Sequence, residues 1–245
     1  MSTNQASNQN NVNNLEVLIN KITNFKTGYN PTRAEFSTEN LSQLKTRAQT
    51  SIDAVTDAEI VLQSAASART EVFRGFDPFI TRVINAIRIS GASPQSITQA
   101  ESIVRELHGK RASAIATDAE IAEAKEKGVE INQITRHINT IQSKLTNFNI
   151  LIKYLETLSA YKPNETDLTV ASLTTRYTTM KETNEQYIAA EAKAYAARSA
   201  RDKILYAEGT GLVDIAQGVK TYVKSAFGAT SDEYLSISGI TFTKR

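Results

Sequence analysis

Cysteine is absent from the 245 residues. A disulfide framework, a thiolate zinc site, an iron–sulfur cluster and a cysteine nucleophile are therefore excluded. Histidine is nearly absent: His108 and His137 are too few for a histidine-rich metal site. The Glu-x-x-His motif by which helical bundles hold metals also fails, because Arg105 and Ile134 stand three residues before the two histidines. His108, beside Gly109, Lys110 and Arg111, reads as a cation at a helix C-terminus. His137, between Ile134 and Ile138, reads as a boundary residue of a helix. No Gly-rich loop precedes a Lys-Ser or Lys-Thr pair, and no His-Glu-x-x-His or Gly-x-Ser-x-Gly occurs. Neither an enzyme, a metal, a cofactor nor a small-molecule substrate is expected. Apolar runs fall far short of the ~20 residues that span a membrane. A net charge of +2 gives little pull towards nucleic acid or an anionic surface. The polar, uncharged start from Met1 to Asn11 lacks the basic residues and the apolar core, about 7–15 residues long, of a secretory signal. Residues 1–12 are expected to be a disordered tail on a cytoplasmic chain.

What remains is a sequence made for helices. It is 40% hydrophobic and 22% charged, a balance typical of soluble globular chains. Only four prolines, Pro31, Pro78, Pro94 and Pro163, punctuate it. Leu15, Leu18, Ile19, Ile22 and Phe25 recur at helical spacing before the stop at Gly28-Tyr29-Asn30-Pro31. A long helix is expected from about Thr38 to Phe73, with Leu41, Leu44, Ala48, Ile52, Val55, Leu62 and Ala65 on its buried face. A third segment carries Phe79, Val83 and Ile87 and ends at Gly91. Ser93-Pro94 reads as an N-cap with proline at the first helical position, and Gly109 closes that helix. Residues 112–130 are small and charged, a helical linker with a Thr117/Glu120 capping box.

From Ile134 the apolar residues Ile134, Ile138, Ile141, Leu145, Phe148, Ile152 and Leu155 step by four and three. They form a heptad seam, read as a bundle core helix, with a dimerising coiled coil and an oligomer seam as the alternative. Tyr161-Lys162-Pro163-Asn164-Glu165 ends it. A second long helix, from about Asp167 to Tyr206, runs to the breakers Gly209 and Gly211. Leu212, Ile215, Ala216, Val219, Val223 and Phe227 mark a further helix, and Thr230 with Glu233 a capping box for one last turn. Residues 239–243 alternate and are expected to be extended.

The two halves repeat the same order of signals. Tyr29-Asn30-Pro31 answers Tyr161-Lys162-Pro163, Leu44-Lys45-Thr46-Arg47 answers Leu173-Thr174-Thr175-Arg176, Ala68-Arg69 answers Ala197-Arg198, and Gly91-Ala92-Ser93 answers Gly228-Ala229-Thr230. The expected fold is all-α, an elongated helical bundle built from two tandem helical repeats, 13–111 and 131–245. Several runs, including Tyr161-Lys162-Pro163-Asn164-Glu165, Ala197-Arg198-Ser199-Ala200-Arg201 leading to Leu205-Tyr206, and Gly211-Leu212-Val213, carry a resemblance. So do Val219-Lys220-Thr221-Tyr222-Val223-Lys224, Phe227-Gly228-Ala229-Thr230-Ser231, Ser238-Gly239-Ile240-Thr241-Phe242 and Leu107-His108-Gly109-Lys110-Arg111-Ala112. With these the chain resembles an uncharacterised bacterial family of helical, internally duplicated proteins. The resemblance implies an all-helical fold and no activity. One departure is that the first copy has Val83-Ile84-Asn85-Ala86 in place of the Val-Lys-x-Tyr element.

Four groups of residues stand out. The Tyr-x-Pro turns, with Tyr29, Pro31, Tyr161, Pro163, Asn164 and Glu165, read as corners that turn geometry explains and that a partner protein could grip. The stretch 69–111 places seven basic residues, Arg69, Arg74, Arg82, Arg88, Arg105, Lys110 and Arg111, against four acidic ones, Glu71, Asp77, Glu101 and Glu106. That is a basic patch for a phosphate backbone, or a solvated surface. Arg47, Arg69, Arg176 and Arg198 read as arginines whose stems cover a bundle seam while their heads reach carboxylates. Tyr177, Tyr187, Tyr195, Tyr206 and Tyr222 suggest a stacking platform, or core-edge residues. The expected function is a non-enzymatic scaffold or self-assembling component acting through a protein partner or its own copies, with nucleic-acid association as the rival.

Overall fold

Long proline-free stretches decide the architecture. A computed structural model describes residues 3–109 and 140–244, together with Glu123, Glu126 and Lys127. The rest of the 112–130 linker lies outside the described residues, as do Lys110, Arg111, Ile134, His137 and Ile138. The described residues are all-α and include no strand. Helices run as α1 (Thr3–Thr23), α2 (Thr38–Phe73), α3 (Phe76–Arg88), α4 (Pro94–Leu107), α5 (Ile141–Thr157), α6 (Val170–Tyr206), α7 (Leu212–Phe227) and α8 (Asp232–Ser238). Short 3-10 turns at Lys26–Gly28, Ala34–Phe36 and Thr166–Leu168 lead into the long helices. α2, with 36 residues, and α6, with 37, are each roughly 55 Å long at 1.5 Å per residue.

The helix ends follow local chemistry. Gly75, at φ 68°, takes the left-handed conformation that separates α2 from α3. Pro78 sits harmlessly in the first turn of α3, where no intrahelical N–H is needed. Ser93 Oγ accepts the Ser96 N–H ahead of Pro94. Thr140, at φ −90° and ψ 159°, caps α5 through a reciprocal box with Ser143. α5 therefore begins after Thr140 and carries Ile141, Leu145, Phe148, Ile152 and Leu155 of the heptad seam. At α8 the cap is Ser231, whose hydroxyl accepts the Tyr234 N–H, rather than Thr230.

The described chain forms two compact units. One comprises Met1–Ser64 and Ile188–Arg245, the other Ala65–Tyr187. Both boundaries fall inside a long helix, in α2 and in α6, so the units do not coincide with the sequence repeats 13–111 and 131–245. In the first unit Leu15, Leu18 and Ile22 of α1 meet Leu41 and Leu44 of α2, Leu205 of α6 and Val219 of α7. In the second, Phe76, Ile80 and Ile87 of α3 meet Val104 and Leu107 of α4, Phe148 and Ile152 of α5, and Leu173 and Met180 of α6.

The expected disordered tail is corrected. Residues from Thr3 onward are helical, and Asn8, Asn11 and Val12 are buried in the first unit. Asn8 and Asn11 tolerate burial because their amides are bonded: Asn8 Oδ1 accepts the Tyr206 hydroxyl at 2.6 Å, and Asn11 pairs with the backbone of Thr243.

Candidate interaction surfaces

The two tyrosine corners are built alike, and they face inward. Tyr29 donates its hydroxyl to the Phe36 carbonyl at 2.6 Å, seven residues on, and meets the Tyr222 ring edge-on at 5.4 Å. The Asn30 N–H donates to the Tyr222 hydroxyl at 3.2 Å. Tyr161 donates to the Leu168 carbonyl at 2.7 Å, again seven residues on, and is only 5% exposed. Each tyrosine staples its turn to the last residue of the 3-10 turn that leads into the next long helix. Tyr161 is thus corrected as a partner-binding residue, because its ring is buried and its hydroxyl spent. Tyr29 is half-buried with its hydroxyl spent, Pro31 and Pro163 are half-buried, and Asn164 and Glu165 are exposed.

Burial, reinforced by the neighbouring carboxylates of Glu165 and Asp167, pushes the Tyr161 hydroxyl up to about 12. Burial pushes Tyr29 up as well. Above pH 10 the unfolded chain releases the Tyr161 proton while the folded chain keeps it, so folded stability falls as pH rises from 10 to about 12. Thermal melts across that interval are expected to show the fall, and Tyr161→Phe should make it shallower by one proton's contribution. An unchanged slope in Tyr161→Phe would show that the hydroxyl does not titrate with folding.

The basic region is largely consumed by local partners. Arg69 lies 3.3 Å over the Tyr187 ring centroid. Arg74 pairs with Glu71 at 2.9 Å, Arg82 with Asp167 at 2.6 Å and Arg88 with Glu101 at 2.7 Å. The hydrogen bond from Arg82 holds the Asp167 carboxyl below its usual range. Arg105 donates to Ser102 Oγ at 2.9 Å, while its Nε is buried with no partner among the described residues. These five arginines present no row of free guanidinium groups. The repeated arginines act partly as expected: Arg198 donates to Glu59 at 3.1 Å, whereas Arg176 lies over the Phe79 ring at 4.1 Å and burial lowers its pKa.

The oligomer-seam alternative is corrected for Leu145, Phe148, Ile152 and Leu155. All four are buried in the second unit's own core, with Phe148 edge-on to Phe76 at 5.0 Å, and have no free area for a second chain. Ile141 is partly buried against the same core. The tyrosines each have separate neighbours rather than a shared platform. Tyr177 abuts Phe148, Tyr187 carries Arg69, Tyr206 bonds Asn8 and Tyr222 closes the first corner. Tyr195 alone among these five is exposed, at 73%. His108 caps the end of α4, with Nδ1 3.8 Å from Asp77, which also accepts from Lys144 at 3.0 Å.

Two features escape a reading of the sequence. In the first unit Ile60, Val61 and Ile188 are exposed at 60%, 54% and 52%, off the buried stripes of α2 and α6. The Glu59–Arg198 pair joins the stretch of α2 that carries Ile60 and Val61 to the stretch of α6 that carries Tyr195, and Ile188 lies ten residues before Arg198. An open depression of about 530 Å³, lined by Tyr195, Arg198, Arg201, Lys203 and Tyr206, continues along α6. The second feature is the hold that α1 and α7 keep on residues 239–244. Among the described residues no three His, Asp or Glu side chains gather as metal ligands, and no helix is long and apolar enough to cross a membrane. Comparison with protein-family models, curated proteins and solved structures finds no match.

Proposed function

We propose that this protein is a non-enzymatic helical component that works through protein contacts, as a scaffold or a self-assembling part. The observation that carries this is that Ile60 and Val61 on α2 and Tyr195 on α6, large side chains on the two helix stretches that the Glu59–Arg198 pair joins, are left open to water. Scattered exposed apolar residues are ordinary, and large ones on two adjoining helix stretches beside an ion pair are the surface here best suited to a partner. The like-built tyrosine corners support an origin in two similar copies, which would offer similar faces for bridging. Nucleic-acid binding through 69–111 has less support, since the described arginines there already have partners.

Size-exclusion chromatography with light scattering across a dilution series tests the self-assembly. The mass is expected to exceed 26.9 kDa at high concentration and to fall towards it on dilution. Tyr195→Glu and Ile60→Glu should lower the mass without changing the melting temperature, because both side chains already face water. A monomer at every concentration would leave only a different partner protein.

A further inference from the structure

Tyr195, Ser199, Asp202 and Tyr206 follow one another along α6 at steps of four, three and four, so they share one stripe of the helix. That stripe lines the open depression of the first unit, and Arg198, Arg201 and Lys203 complete the lining with three basic side chains. Their hydrogen-bonding capacity is only partly used. Arg198 gives its Nε to Glu59 at 3.1 Å, and its two Nη nitrogens make no bond among the described residues. Arg201, only 4% exposed, gives Nε and Nη2 to the same Asp202 oxygen at 3.0 and 2.7 Å, and its Nη1 makes none. Lys203 is exposed and has no partner among the described residues.

Charge decides what these donors can take. The three cations face the carboxylates of Glu59 and Asp202, so these side chains together hold a single net positive charge. One carboxylate matches that charge, and the two unspent Nη nitrogens of Arg198 suit its planar pair of oxygens. A phosphate monoester, with a charge of about −1.5 to −2, would be repelled by the two carboxylates already there. The border of the depression is apolar. Tyr195 stands in water at one end, and Ile60 follows Glu59, the partner of Arg198. From Tyr195 to Tyr206 the stripe runs about 16 Å at 1.5 Å per residue, the length of a three-turn helix.

We propose that this face docks a short acidic amphipathic helix of a partner protein. A carboxylate of that helix enters the depression and meets Arg198, Arg201 Nη1 and Lys203, while its apolar residues cover Tyr195 and Ile60. The proposal rests on the protein-contact reading above and names the partner's chemistry. Arg198 and Lys203 are open to water, so their charges act on the association rate and make binding salt-dependent.

The probe is a labelled peptide of about 18 residues, long enough to hold a helix in water, with leucine on one stripe and glutamate beside it. Its control has glutamine in place of every glutamate. Fluorescence anisotropy against the full-length protein at low salt is expected to give the glutamate peptide a Kd about tenfold below the control's, and added salt should close the gap. Lys203→Glu should raise that Kd about tenfold, and Tyr195→Ala should raise it less. Lys193→Glu makes the same charge change on another face of α6, two residues before Tyr195, and should leave the Kd unchanged. Lys203 and Tyr195 both face water, so their variants should melt with the unaltered chain. Equal Kd values for the two peptides, or equal losses in Lys203→Glu and Lys193→Glu, would overturn the acidic partner and leave the protein-contact reading standing. A labelled single-stranded oligonucleotide that binds as tightly and is lost in Lys203→Glu would assign the depression to phosphate instead. A concentration-dependent mass that Lys203→Glu cancels would place a second copy there, and that too overturns the proposal. Binding of neither peptide overturns it outright, while light scattering on the same preparations judges self-assembly separately.

Discussion

Leu145→Asp is expected to unfold the second unit rather than to release a folded monomer. Leu145 is fully buried on α5, in the cluster that holds Phe76 and Ile80 of α3 and Val104 of α4. A carboxylate there loses its hydration, and nothing in the surrounding apolar cluster offers it a cation. The cost should exceed about 4 kcal/mol, the range reserved for unpaired buried charge. Circular dichroism at 25 °C should show helix loss, and light scattering should show an unfolded or aggregated chain. Ile150→Asp provides the contrast. It lies on the same helix with its side chain in water, so its cost should stay within about 0.5 kcal/mol. A folded, lighter Leu145→Asp chain would return the seam to an oligomer interface.

Much of the fold was legible because punctuation and periodicity agree. The ends of α2 were placed at Thr38 and Phe73, as found, and of the expected buried face Leu41, Leu44, Ala48, Ile52 and Val55 are buried while Leu62 and Ala65 are only half-buried. The long α6 was expected to begin at Asp167. Residues Thr166–Leu168 instead form a 3-10 turn, and the helix starts at Val170, two residues behind the carbonyl that Tyr161 holds. The polar residues of α1 misled because an amide's burial depends on a distant partner: Asn8 needs Tyr206, and Asn11 needs Thr243. Local composition holds no trace of either. The unit boundaries were equally hidden, since Ser64 and Tyr187 sit inside unbroken helices whose partners change partway along.

The pairing of the two tyrosine corners' following helices read from motifs differs by three residues from the one their geometry gives. Leu41 and Leu173 occupy the same place after their corners, each donating its N–H to the carbonyl of the residue that precedes the helix, Ser37 or Thr169. Both leucines are fully buried. The motif match paired Leu44 with Leu173 instead, because leucine and arginine recur at helical spacing and a slip of three residues nearly preserves the pattern. The candidate surfaces were harder still. A Tyr-x-Pro corner is visible in sequence, but whether its ring points in or out is set by Leu168 and Phe36, which the fold supplies. Ile60 and Val61 were the available signal for the exposed patch, being large apolar residues off the stripe that Val55 and Leu62 define.

Gly211→Ala should be the most damaging of the glycine substitutions, although its φ of −74° suits any residue. Space, not conformation, demands glycine there. An added Cβ would lie 2.6 Å from the Ala207 nitrogen, 2.8 Å from its carbonyl oxygen and 2.9 Å from that of Leu205. These are backbone atoms and cannot rotate away. Moving them would displace α7, which carries Leu212, Val213, Ile215 and Val219 into the first unit's core. The expected cost is about 3 kcal/mol, the upper part of the overpacking range. At Gly218 the added Cβ would meet the tip of the Phe36 ring at 2.6 Å, and a ring can tilt, so Gly218→Ala should cost less. At Gly209, with φ 70° and open space around it, Gly209→Ala should cost only about 1 kcal/mol of left-handed backbone strain. Urea unfolding of the three variants tests this order, and a Gly211→Ala chain as stable as Gly209→Ala would break it. Because α7 also carries Asp214 and Lys220, which hold residues 240–244, a displaced α7 should loosen that segment too. Gly211→Ala should therefore speed amide hydrogen exchange at Thr243, whose N–H is held by Asn11, while Gly209→Ala should leave it slow.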